Sequence, residues 1–142
     1  MQKILNNKLI LGTVQMGLPY GINNNSGKIS LQNSIEILEY AFNNGIETLD
    51  SAESYGNAHE VIGIFHDQNP NKIFRVITKL PHQVNDDIVK KVDGYLKELK
   101  VNQLETLMFH SYASYEDNIG NFSVLKRLKL DKKIKTIGVS VY

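Results

Sequence analysis

Four polar residues close apolar segments along the chain: Asp50 in ETLDSAESYG, Tyr55 just after it, Lys79 in FRVITKL and His110 in TLMFHS. The segments recur about every thirty residues, the length of a strand, a helix and two loops. Equivalent ends of neighbouring parallel strands lie about 4.8 Å apart, so this spacing gathers a carboxylate, a phenol, an ammonium and an imidazole in one place. Such a set has a definite chemistry. An ammonium beside a phenol favours the phenolate, and a carboxylate keeps the ammonium charged and in position. A phenol tuned in this way can hand a proton to a carbonyl oxygen, while the imidazole binds and orients that oxygen.

Each of these residues also has a plainer role open to it. Asp50 and Lys79 can be a buried ion pair closing the end of a sheet. Tyr55 can be a loop packing residue, and His110 a core histidine bonded to backbone. Lys79 can instead form a Schiff base, as lysines of barrel aldolases do. A chain with all four residues can also serve as a binding or regulatory subunit, because a fold does not fix a function. Metal chemistry is not expected: there is no HxH and no HExxH. His59, His66 and His82 match no motif and are expected in solvent, and Glu60 is read as helix-start electrostatics. Tyr112 and Tyr115 either line a substrate mouth or pack within a loop.

The elements that must position these groups follow from periodicity. LILGTV, residues 9–14, is a short apolar run bounded by turn residues and reads as a buried strand. GLPYGINNNSGK is turn chemistry throughout. Ser30 offers an N-cap to a helix with Leu31, Ile35, Leu38 and Phe42 on one face, and Gly45 stands where a left-handed C-terminal cap belongs. IETLD is the next strand, 57–66 a shorter helix, and IFRVITKL a strand ending near Lys79. Asn85 is the expected cap of a helix with Ile88, Val92, Tyr95 or Leu96, and Leu99 inward. LETLMFH is a strand, 121–130 a helix, and IKTIGVSV the fifth strand. Continuous apolar runs imply strands buried on both faces, hence a parallel α/β sheet. A doubly wound sheet would show a glycine-rich phosphate turn after its first strand, and LGTVQMGLPYG lacks the GxGxxG spacing. The expectation is therefore a TIM-type barrel, with functional residues at the ends of several strands.

The bulk properties narrow the class. A chain of 142 residues with 42% hydrophobic content has the size of one domain, 1–142, and enough apolar material for a core. Its 16 basic and 15 acidic residues are interspersed, so no stripe argues for nucleic acid. Cysteine is absent, which excludes disulfides and thiolate sites. MQKILNNKLILG does not read as a secretory signal, and no run approaches the length of a membrane span. A cytoplasmic location is the default expectation. Arginine occurs only at 75 and 127, which with the many Asn and Ile residues is read as the mark of an AT-rich genome.

LDSAESYGNAHEVIG resembles the aldo-keto reductase signature: an Asp-Ser/Thr-Ala element, then Tyr-Gly, then Glu and Gly. ITKL with Lys79, MFHS with His110, IGVSVY with Gly138 and Ser140, and LGTVQMG near the start resemble the same family in the same order. The resemblance implies an (α/β)8 barrel that binds an extended NADPH, or NADH, and reduces an aldehyde or ketone. It implies Tyr55 as general acid and base, Lys79 and Asp50 as its tuning pair, and His110 as the group orienting the carbonyl. Gly12, Thr13, Val14, Asp50 and Ser140 would lie near the nicotinamide end of the cofactor. Val141 departs from the pattern, since many members carry there an asparagine that binds the carboxamide. The partner expected is a small-molecule carbonyl compound. The Asn-rich loop loosely resembles bacterial members found with surface-polysaccharide genes, which points to a sugar-derived carbonyl.

Such a barrel takes about 250 residues and eight strands, whereas five strands are read here. A C-terminally truncated domain with little activity alone is therefore expected, with Val139 and Val141 on an unpaired edge.

Overall fold

The computed structural model describes residues 8–85 and 87–141. Five strands form one parallel sheet in sequential order: β1 (Leu11–Gly12), β2 (Thr48–Asp50), β3 (Arg75–Lys79), β4 (Leu104–Phe109) and β5 (Ile134–Val139). Sequential order decides between the two architectures left open by local pattern. A doubly wound sheet reverses its order at a switch point, whereas an unbroken order with right-handed crossovers puts every helix on one face. The helices are α1 (Val14–Gly17), α2 (Leu31–Asn43), α3 (Ala58–Gln68), α4 (Ile88–Leu99), α5 (Tyr112–Asp117) and α6 (Phe122–Leu130). α2 packs on α3, α3 on α4, and α4 on α6, as one outer layer. No helix among the described residues is long and apolar enough to cross a membrane.

The core lies between sheet and helices. Leu49, Val76, Leu107 and Phe109 meet Leu38, Ile62, Phe65, Val92, Leu99 and Leu125 there, all buried. The other sheet face is more open: Ile77, Thr106 and Met108 are only partly buried and Thr136 is exposed. Burial on both faces, expected from the continuous apolar runs, is thus not realised among the described residues.

Helix boundaries follow capping chemistry. Ser30 caps α2 by accepting from the Asn33 N–H at 3.2 Å, and Gly45 has φ of 81° just beyond its end. The buried face of α2 is Ser34, Leu38 and Ala41, flanked by Ile35 and Phe42, while Leu31 is 47% exposed. The cap of α4 is Asp87, not Asn85: its Oδ1 accepts from the Val89 N–H at 2.8 Å. A carboxylate at the positive helix end is favoured over a neutral amide by its charge. Tyr95, not Leu96, is the fully buried member of the α4 stripe. α5 and a 3₁₀ turn at Ile119–Asn121 precede α6 and carry too short a pattern to be legible in advance. β1 covers only Leu11–Gly12, because Val14 already begins a helical turn.

The expectation that His59 and His66 sit in solvent is overturned. His66 is 2% exposed; the Phe74 N–H donates to its Nε2 at 3.0 Å, so Nδ1 carries the proton and bonds the Leu99 carbonyl at 2.7 Å. It ties the end of α3 to the end of α4. His59 is 4% exposed, with Nε2 2.7 Å from the Thr78 hydroxyl. Burial drives the His59 pKa down to about 4 against the opposing charge of Glu53, and burial likewise lowers that of His66. Both rings are neutral cross-braces.

Candidate active site

Register sets which side chains share a face. Gly12 pairs with Asp50, Asp50 with Ile77, Lys79 with Met108, and Met108 with Gly138. Paired residues on neighbouring parallel strands lie on one side, and alternate residues along a strand return to it. Gly12, Asp50, Lys79 and, one alternation past the strand ends, His110 and Ser140 therefore fall on the inner face at the carboxyl rim. The helix-facing set contains Leu49, Val76, Thr78 and Phe109.

Lys79 is the centre of the cluster. It is 5% exposed, and its Nζ donates to Asp50 Oδ1 at 2.6 Å and to the Ser51 carbonyl at 2.9 Å. The same ammonium stands 5.1 Å from the centroid of the Tyr55 ring. That ring meets the His110 imidazole edge-on, with centroids 6.5 Å apart. The four residues singled out by their spacing are thus brought together. Asp50 is one-third exposed and Tyr55 half-buried, so the cluster opens to solvent on one side while the amine is withdrawn from it. A buried ammonium demands a counter-charge, and Asp50 supplies it.

His110 is 8% exposed, and its Nδ1 is buried with no hydrogen-bond partner among the described residues. Burial lowers its pKa most, and His82 next; the Leu80 backbone opposes them, Lys79 adds to the lowering by less, and Asp50 opposes it least. The ring is accordingly neutral near pH 7 and can donate from one nitrogen only. His82, expected in solvent and indeed exposed, nevertheless stacks on His110 with centroids 4.0 Å apart and a tilt of 34°. It is a site neighbour that sequence reasoning missed, because its link to His110 is visible only across two strands. Tyr115 packs edge-on against Phe109 at 5.6 Å, whereas Tyr112 is exposed.

The loop after β2 brings Tyr55 back over the rim. Its backbone is held at three points: the Ser51 N–H on the Ile77 carbonyl at 2.8 Å, the Glu53 N–H on the Lys79 carbonyl at 3.1 Å, and the Tyr55 N–H on the Ala52 carbonyl at 3.1 Å. Gly56 then turns the chain into α3 with φ of 57°. On the far side α1 presses against this loop at Gly17, where an added Cβ would stand 1.6 Å from the Tyr55 carbonyl oxygen. The pair Gly17 and Gly56 permits a backbone-to-backbone approach that any side chain would block. Gly17 stands in the sequence as a turn residue and Gly56 in the Tyr-Gly pair, and only the fold shows that they meet.

Of the residues expected near a cofactor, Thr13 is fully buried, and its hydroxyl and its N–H both donate to the Asp50 carbonyl, each at 3.0 Å. It fastens the end of β1 to Asp50. Gly12 is exposed, and a Cβ added there would meet nothing within 4 Å, so a flat ring has room against the strand. Val14 opens α1, and Ser140 is half-buried with its N–H on the Phe109 carbonyl at 3.0 Å. No group of three or more His, Asp or Glu residues suited to a metal ion occurs among the described residues.

A family model described as the aldo/keto reductase family matches residues 8–142. The chain belongs to that family. Among solved structures, an aldo-keto reductase assigned in Pseudomonas aeruginosa is 25% identical with a TM-score of 0.75, over 93% of this chain and 54% of that one. The glycerol dehydrogenase of Gluconobacter oxydans is 26% identical with a TM-score of 0.72, over 94% of this chain and 44% of that one. An aldo-keto reductase from Klebsiella pneumoniae in complex with NADPH shares the fold at 21% identity and a TM-score of 0.65, over 92% of this chain and 44% of that one. No curated protein matches the chain. The chain spans about half the length of the solved structures it matches. Those aldo-keto reductases are (α/β)8 barrels, and the five parallel strands with their helices are an incomplete α/β barrel of the same kind.

Proposed function

We propose that this aldo-keto reductase chain carries the proton-transfer site of an oxidoreductase that reduces an aldehyde or ketone, with Tyr55 as the proton donor. The observation that carries the reading is the buried Lys79 ammonium, 2.6 Å from Asp50 and 5.1 Å from the centre of the Tyr55 ring. As a carbonyl is reduced, negative charge develops on its oxygen. The Tyr55 hydroxyl delivers a proton to that oxygen, and the Lys79 ammonium offsets the charge left on the phenolate. Asp50 keeps the ammonium in place, so the offsetting charge needs no reorganisation during reaction. His110, neutral and edge-on to Tyr55, donates a hydrogen bond to the same oxygen and sets its approach.

A bound nicotinamide, NADPH or NADH, supplies the hydride to the carbonyl carbon. The inner rim fits such a ring: Gly12 leaves its strand bare, Ser140 stands across the rim on β5's side, and Asp50 lies between. Thr13 serves this site through the Asp50 backbone, since its hydroxyl is already committed. A Schiff base on Lys79 would need a neutral, free amine, and this one is held by a carboxylate and a carbonyl.

The test is Tyr55→Phe, assayed by nicotinamide absorbance against a panel of aldehydes and ketones that includes sugar-derived ones. Turnover should fall by about 10² to 10⁴, the usual share of a general acid, with coenzyme binding retained. Undiminished turnover in the variant removes Tyr55 as donor.

A further inference from the structure

We infer that Glu53 is a positioning residue for Tyr55, clamping the loop that carries the phenol onto α4 through Lys91 and Tyr95. The inference rests on the reading of Tyr55 as proton donor and adds a residue that this reading does not use.

Glu53 stands two positions before Tyr55 in a segment that is neither helix nor strand. Lys91 Nζ donates to both of its carboxylate oxygens, at 3.0 and 3.1 Å, and the Tyr95 hydroxyl donates to Oε2. Lys91 and Tyr95 are four residues apart on α4, so they rise from one helix face and grip the carboxylate together. Tyr95 is itself buried and meets the His59 ring edge-on at 5.3 Å. His59 bonds Thr78, the residue before Lys79, and the Glu53 N–H bonds the Lys79 carbonyl at 3.1 Å. The contacts therefore close a circuit: Glu53, Tyr95, His59, Thr78, Lys79 and back to Glu53. It joins the loop of the proposed donor to the strand of its ammonium.

The geometry separates positioning from plain stabilisation. A partly exposed ion pair alone contributes little, but three charge-assisted or buried bonds on one loop carboxylate restrict where that loop can sit. On the opposite side the loop is pressed by Gly17, at backbone contact. Held between α1 and α4, the segment has one position while both contacts stand. Releasing Glu53 frees one side only, so the expected effect is local motion around Tyr55, with the sheet intact.

The full chain is compared with its Glu53→Ala, Glu53→Gln and Tyr95→Phe variants by amide hydrogen exchange and by coenzyme-dependent carbonyl reduction. In Glu53→Ala, exchange at the Glu53 and Tyr55 amides should accelerate by at least about tenfold, as expected when a hydrogen bond to a charged group is lost. Amides within β3 should keep their protection. The kcat should fall by about tenfold or more with KM for the coenzyme nearly unchanged. Glu53→Gln keeps an acceptor for Lys91 and Tyr95 and should restore most of both losses. Unchanged exchange at the two loop amides, or a uniform acceleration that includes β3, overturns the inference. If the unmodified chain turns over too slowly to measure, as expected of a domain with little activity alone, the exchange result by itself decides the clamp. If Glu53→Ala does not fold, Tyr95→Phe, which deletes one hydroxyl, must show the local acceleration in weaker form, and its absence is equally fatal.

Discussion

Replacing Gly17 with alanine tests most directly whether the position of Tyr55 matters. The added Cβ would stand 1.6 Å from the Tyr55 carbonyl oxygen, 2.8 Å from its carbon and 2.9 Å from the Ala58 nitrogen, where ordinary contact begins at 3.4 Å. All three atoms are backbone, so no side chain can swing aside. The loop must retreat by about 1.8 Å, or α1 must, because close-packed interiors have no slack of that size. Alanine is the better helix former by about 1 kcal/mol, but overpacking costs about 1–3 kcal/mol. The clash wins, and a modest loss of stability is expected. The larger effect falls on chemistry: misplacing a reacting group by about 1 Å can cost about 10²-fold in rate, so kcat should drop at least that far. Thermal melting and steady-state reduction measured together separate the two effects. Gly94→Ala is the internal comparison, since a Cβ at that exposed helix position meets nothing within 4 Å. It should stabilise α4 by about 0.5–1 kcal/mol through propensity and leave turnover alone. A Gly17→Ala protein with native kcat would refute the argument that this approach fixes the phenol.

Three further outcomes follow from buried or capped charge. Asp50→Asn leaves the Lys79 ammonium buried against neutral oxygens; breaking such pairs costs about 3–5 kcal/mol when both partners are buried. With Asp50 one-third exposed, about 2 kcal/mol is expected in denaturant unfolding, and Lys79→Met added to it should recover part of the loss. Stability should decline as pH falls below 6.5. The folded His59 has a pKa lowered to about 4, so the unfolded chain binds the extra proton first; the stabilisation is full above 6.5 and lost toward 4. For this residue the whole difference is about 3 kcal/mol, with His66 acting in the same direction, and His59→Gln should flatten the pH dependence. Asp87→Ala removes the cap of α4 and should cost about 1 kcal/mol, read from the denaturation midpoint, whereas Asn85→Ala should cost nothing measurable.

Much of this arrangement was legible in the linear chain. The thirty-residue recurrence of apolar runs ending in Asp50, Lys79 and His110 reports a repeating strand and helix unit, and a strand end is where a parallel sheet exposes side chains to a ligand. Ser30 and Gly45 mark the ends of α2 because capping is settled by a few neighbouring residues. What escaped has a common cause. The burial of His59 and His66 depends on Thr78, Leu99 and Phe74, between 8 and 33 positions away, and a lone histidine carries no trace of such partners. The bond from the Thr13 hydroxyl to the Asp50 carbonyl, 37 positions on, was equally invisible in the chain.

Periodicity therefore determined the longer elements, their strand and helix alternation and the residue types at the rim, because each depends on interactions within a turn or along one strand. The tertiary structure alone decided which polar groups are spent on holding the frame and which remain free to act. It also decided where Tyr55 sits, between Gly17 and Glu53. Those outcomes depend on distances between segments far apart in the chain, and the backbone approach of Gly17 to Tyr55, or the 3.0 Å bond from Thr13 to Asp50, exists only once the sheet and its helices have closed on one another.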